Sequence, residues 1–130
     1  MAAAGGRPKF LPMARYEHLP VFKAVYDFNL YFHRLAQGFP KDVKYGLAGE
    51  VRALLSNLLD QIVLANNSRD KAVCLAQAEH CIELAKIKSR MLQDLGALSV
   101  KSYAHIAKTL VGISQQISAW EAWAKKNLSN

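Results

Sequence analysis

At 130 residues the chain is the size of one domain, and with 52% apolar residues it can bury a single core. No apolar run approaches the ~20 residues of a bilayer span, so neither a transmembrane helix nor a membrane partner is expected. Seventeen Lys and Arg against ten Asp and Glu leave a net charge of +7, which favours acidic partners such as nucleic acid or an anionic protein surface.

The charge is unevenly placed. Residues 1–20 carry +2, residues 97–130 carry +3, and residues 41–67 are neutral. There is no run of five like charges of the kind that marks a polybasic tail. Met1 to Gly6 are small residues without the apolar stretch of a secretory signal, so a cytoplasmic location is expected. Cys74 and Cys81 lie seven apart in a helical stretch, ~10 Å along the axis and beyond disulfide reach.

Residues 1–18, with Gly5-Gly6, Pro8, Pro12 and the basic Arg7, Lys9 and Arg15, read as an extended leader to a domain over 19–127. Pro20 suits the first turn of a helix, where a missing N–H costs nothing. Val21, Val25, Phe28, Phe32 and Leu35 then follow at alternating fours and threes, predicting a helix over about 20–37 that stops at Gly38. After a break at Phe39-Pro40, the stripe Leu47, Val51, Leu54, Leu58, Ile62 and Ala65 predicts a second helix over about 45–66. Gly46 and Gly49 near its start weaken it and point to close packing.

A third helix, over about 69–95, has Ser68 or Asp70 as cap candidates, the stripe Leu75, Ala78, Ile82, Ala85, Ser89 and Leu92, and Gly96 as its stop. The fourth, over about 99–126, is capped by Ser99 and carries the most regular stripe: Tyr103, Ile106, Leu110, Ile113, Ile117, Trp120 and Ala124, with Trp123 at its edge. Short connections favour antiparallel neighbours, so the expected fold is an all-α, up-down-up-down four-helix bundle.

The third and fourth helices carry a second apolar seam: Cys74, Cys81, Leu84, Met91 and Leu95 on one, Ala104, Ala107 and Val111 on the other. Two readings stand at this level, a surface for self-association or an unusually wide core face.

The chemistry-bearing constellations are sparse. Cys74, His80 and Cys81 lack a C-x-x-C and a fourth ligand, so no metal is expected. Inward Glu-x-x-His pairs, His-Glu-x-x-His and a phosphate-binding glycine loop do not occur. His18, His33, His80 and His105 are scattered, and neither catalysis nor a cofactor is expected. The basic residues remain. Glu79, Glu83, Lys86 and Arg90 share one stripe, ordered acid to base as the helix dipole prefers, and read as a solvated face. Lys88 falls on the second seam. Lys101 and Lys108 lie two turns apart on one face with no acid beside them, the sharper signal for a partner.

Three segments carry a resemblance: Leu19-Pro20-Val21-Phe22-Lys23-Ala24-Val25-Tyr26, then Phe39-Pro40-Lys41, then Lys44-Tyr45-Gly46-Leu47-Ala48-Gly49-Glu50-Val51. Together they resemble the four helix bundle protein family, over roughly residues 19–125. That family includes ribosomal RNA intervening-sequence proteins and the accessory variability determinant (Avd) proteins of diversity-generating retroelements. The intervening-sequence branch has a proline-containing segment late in its second helix, where this chain reads Ser56-Asn57-Leu58-Leu59-Asp60-Gln61-Ile62. The segments Ala65-Asn66-Asn67-Ser68-Arg69-Asp70-Lys71 and Ser99-Val100-Lys101-Ser102-Tyr103-Ala104 resemble the Avd branch.

The resemblance implies a barrel-like homopentamer whose basic surface binds a reverse transcriptase and its template RNA, and DNA, in support of mutagenic cDNA synthesis. On this reading the contacts are expected from Arg52, Arg69, Lys71, Lys86, Lys88, Arg90, Lys101 and Lys108. The alternative is a self-assembling bundle of the intervening-sequence type with an unknown partner.

Overall fold

The structure, a computed structural model, describes residues 16–128. The basic positions Arg7, Lys9 and Arg15 of the expected leader therefore lie outside the described residues, while residues 16–18 form a single 3₁₀ turn. Four long helices follow, α1 (Pro20–Ala36), α3 (Leu47–Asn67), α4 (Ala72–Asp94) and α5 (Val100–Leu128), with one short helix, α2 (Lys41–Tyr45), between the first two. No strand occurs among the described residues. Packing is most extensive between α3 and α4, followed by α4 with α5 and α1 with α3, and α1 also meets α5. The four long helices thus enclose one core.

The helix ends follow from local chemistry. Pro20 opens α1 at its first turn. Asp70 accepts a hydrogen bond from the Ala72 N–H at the start of α4, and Ser99 accepts one from the Ser102 N–H at the start of α5, each satisfying a donor the helix cannot. Gly96 ends α4 with φ +84°, and the Gly96 and Ala97 N–H groups turn back to the Gln93 and Leu92 carbonyls. That left-handed closure suits glycine, which has no Cβ to clash.

The helix α2 occupies what the sequence reads as a plain break. Five residues are too few to show a periodicity. Gly46 joins α2 to α3: its N–H reaches the Asp42 carbonyl at 2.9 Å, and a Cβ there would stand 2.7 Å from the same oxygen. The close approach is thus of backbone to backbone within one turn, rather than of helix to helix.

Most predicted stripes form the core. On α4, Leu75, Ala78, Ile82, Ala85, Ser89 and Leu92 are all buried, as are Ile106, Leu110, Ile113 and Ile117 on α5 and Val21, Val25, Phe28 and Phe32 on α1. The stripe on α3 is shifted at two positions: Ala48 and Leu55 are buried where the period points to Leu47 and Leu54, and the latter two pack half-buried against the core edge. Tyr103, Trp120 and Ala124 are likewise half-buried on α5, and on α1 the expected Leu35 is half-buried while its neighbour Ala36 takes the core position. Ser89 is the polar exception inside the core, and its hydroxyl has no partner among the described residues.

One connection is held by a side chain far from its expected role. Lys71, between α3 and α4, donates from Nζ to the carbonyls of Ala65 and Ser68, both at 2.8 Å, and lies 6.0 Å from the centre of the Trp120 ring. It gives the Ala65 carbonyl, which also accepts the Ser68 N–H, a second donor and binds the Ser68 carbonyl just past the end of α3, with the cation at the negative end of the helix dipole. Replacing it by methionine keeps the stem but removes these bonds. Lys71→Met is expected to lower stability by about 1–2 kcal/mol in a thermal melt.

Candidate partner-binding surfaces

The eight basic residues expected to meet a partner fall into two groups. Five are engaged within the chain. Arg52 donates to the Lys44 carbonyl at 3.0 Å, tying α3 back to α2, and Lys71 closes α3. Lys86 pairs with Glu83 at 3.3 Å, Arg90 with Asp94 at 3.1 Å, and Lys88 reaches across from α4 to Glu50 on α3 at 2.8 Å. The place of Lys88 on the second seam is thereby explained. Its half-buried side chain runs over that surface and ends on an acid 38 positions away in sequence.

Arg69, Lys101 and Lys108 are exposed and have no ion-pair or hydrogen-bond partner among the described residues. Lys101 and Lys108 project from the first three turns of α5, beside α1. The two helices touch there through an edge-on contact of Tyr31 with His105, ring centres 4.9 Å apart. Arg34 lies one turn beyond Tyr31 on α1 and is exposed without a partner. It is absent from the set expected from the sequence, although an arginine in the last turn of a helix, beside His33 and with no acid three or four positions away, is a usable signal. Asp27, the acid of α1, is paired with Lys23 at 2.8 Å. The α1–α5 side therefore presents positive charge not cancelled within the chain.

The face expected to be solvated on α4 is partly internal. Glu79 accepts hydrogen bonds from Ser114 and Ser118 of α5, at 2.8 and 3.0 Å, and so clamps α4 to α5. Glu121 lies half-buried nearby on the wall of an open cleft of about 840 Å³, with Arg69, Lys71, Leu75 and Lys125. Burial raises its pKa, the Glu79 carboxylate adds to the rise, and Lys125 opposes it. A glutamate that holds its proton more tightly in the folded chain opposes folding once ionised. The penalty is absent below the unfolded glutamate range and complete above the folded pKa. Glu121→Gln is thus expected to raise the melting temperature at neutral pH, with the gain vanishing as pH falls through the carboxylate range. A gain that persisted in acid would have another origin.

Among the described residues, no group of three or more His, Cys, Asp or Glu is placed to hold a metal ion. Both cysteines are free. Burial raises the pKa of Cys81, opposed by the Asn57 amide that donates to its sulfur at 3.4 Å, which leaves a neutral thiol at neutral pH.

A family model described as bAvd-like matches residues 19–124, a span that takes in all five helices save the last turn of α5. The chain belongs to the bAvd-like family. No curated protein matches it.

In this bAvd-like chain the second apolar seam divides between the two readings open to it. Cys81 is buried against α3, and Cys74 and Leu84 are half-buried, so this part widens the core face. Met91 and Leu95 are 45% and 67% exposed, and Val73 and Ile87 join them on the outer side of α4. On α5, Ala107 is half-buried while Ala104 and Val111 are exposed. No helix among the described residues is long and apolar enough to cross a membrane.

Proposed function

We propose that this bAvd-like protein is a non-catalytic accessory factor of a diversity-generating retroelement, acting in the cytoplasm. It holds a reverse transcriptase and its template RNA, and the growing cDNA, on a basic surface and so supports mutagenic reverse transcription. The observation that carries this reading, beyond family membership, is the pair Lys101 and Lys108: exposed, without partners in the chain, and seven residues apart on one helix. Lysines so placed suit phosphate oxygens, whose contacts give affinity that is salt-dependent and weakly selective for sequence. Arg34 adds to this uncancelled charge on the α1–α5 side and Arg69 stands apart from it at the cleft by Glu121, whereas Arg52, Lys71, Lys86, Lys88 and Arg90 already make bonds within the chain that satisfy part of their donors.

The helices run up-down-up-down in this reading. The cross-contacts support it: Glu50 with Lys88 and Asn57 with Cys81 pair rising numbers on α3 with falling ones on α4. The exposed apolar residues on the outer side of α4 are then subunit contacts in a barrel-like homopentamer. Light scattering on the purified chain checks this, since a monomer would remove the assembly from the proposal.

The decisive experiment is co-elution of the chain with the cognate reverse transcriptase and template RNA, at low and high salt. Association at low salt that weakens as salt rises is the expected result. No association at low salt would overturn the function.

A further inference from the structure

Opposite the core stripe of α5 runs a second regular stripe: Lys101, His105, Lys108, Gly112, Gln115, Ala119 and Trp123, at spacings of four, three, four, three, four and four. These residues share one face, and all but the half-buried Gly112 are exposed. The stripe contains no acid. Glu121, the acid of α5, belongs to the cleft on the other flank of the helix. Trp123 stands 55% exposed on the stripe, ~33 Å along the axis from Lys101.

Gly112 is a second, independent oddity. It sits in the interior of a 29-residue helix, where glycine is a poor helix former, and a Cβ there would meet nothing within 4 Å. Packing inside this chain therefore does not require it. A glycine at such a place leaves a flat stretch of backbone between Lys108 and Gln115 that another molecule can approach closely.

We infer that this face of α5 binds single-stranded nucleic acid, with its phosphates on Lys101 and Lys108, its chain passing over Gly112, and a base stacked on the Trp123 indole. The inference rests on the reading of Lys101 and Lys108 as nucleic-acid contacts and adds to it the form of the strand. A duplex offers phosphates to the lysines but keeps its base faces covered by their neighbours. Only an unpaired strand has a free face for an exposed indole. Every base has such a face, so the site is tolerant of sequence.

Fluorescence anisotropy with the full chain at low salt tests this, using a labelled oligouridylate of about 12 nucleotides and an RNA duplex of equal length. Trp123→Ala is expected to weaken oligouridylate binding by about tenfold, in line with the loss of one stacked base, and to leave duplex binding unchanged. Trp123→Phe restores most of the loss, and all variants keep the wild-type melting curve. Unchanged oligouridylate affinity in Trp123→Ala, or an equal loss for the duplex, overturns the stacking. A loss of reverse transcriptase binding alone overturns it too and assigns Trp123 to the protein partner. If stacking fails while Lys101→Glu with Lys108→Glu still weakens both probes, the basic-surface reading stands. If that pair also has no effect, both fail.

Discussion

Ile113→Asp is expected to unfold the bundle. Ile113 is 1% exposed at the middle of α5, on the one stripe of that helix that faces the core, between Leu110 and Ile117, which are both fully buried. A carboxylate there loses its hydration and finds no cation, since the neighbouring core positions are apolar. The penalty, together with the lost isoleucine packing, is on the order of 5 kcal/mol, against a typical total stability of ~5–15 kcal/mol for a domain. Circular dichroism would show loss of the cooperative melt at neutral pH. Protonation of the carboxyl relieves part of the penalty, so some helical signal returns as pH falls. A variant that melted like the parent would mean that α5 does not present this stripe to the core.

The second large effect is on binding alone. Lys101→Glu combined with Lys108→Glu is expected to weaken association with single-stranded RNA at low salt by at least roughly tenfold, and to reduce the salt dependence by about 1.4 in log–log slope, about 0.7 for each phosphate no longer neutralised. Both side chains are exposed and make no bond within the chain, so stability should move by no more than ~0.5 kcal/mol. The useful comparison is Lys86→Glu with Arg90→Glu. Those two cations are already matched by Glu83 and Asp94, so reversing them removes less uncancelled charge and is expected to weaken binding less. Equal losses from both pairs would mean that the whole positive field matters rather than this side of the bundle. Unchanged binding in the first pair would place the surface elsewhere.

The two outcomes separate two kinds of information in the chain. The centre of the core is legible on α4 and α5, where all six stripe positions of α4 and Ile106, Leu110, Ile113 and Ile117 of α5 are buried, because strict threes and fours mark one face, while Tyr103, Trp120 and Ala124 stop half-buried and Cys81 joins from the second seam. On α3 the same reasoning misses by one position twice, at Leu47-Ala48 and Leu54-Leu55, where adjacent apolar residues satisfy the period equally well. The packing of α4 against α3 decides between them. The short helix α2 is invisible in the sequence because a single turn has no repeat to read.

The basic residues show the limit more sharply. Lys101 and Lys108 stand out because helix geometry alone fixes which residues lie three and four positions away, and none there is acidic. For the others the deciding partner is remote in sequence or is a backbone oxygen. Glu50 meets Lys88 only because α3 packs on α4, Glu79 is engaged by Ser114 and Ser118 only because α4 packs on α5, and Lys71 and Arg52 are held by carbonyls that no side-chain pattern marks. The periodicity puts Trp123 at the edge of the core stripe, and its exposure follows from the side of α5 that α1 and α4 leave uncovered.

The family, the all-helical class and the lack of an acid three or four positions from Lys101 and Lys108 on their own helix are thus properties of the sequence by itself, since periodicity and neighbour chemistry act within a few residues along one helix. Which cations remain free to meet another molecule is a property of the tertiary structure. Charge is written in the residue, but its cancellation depends on what the fold brings within about 4 Å of it.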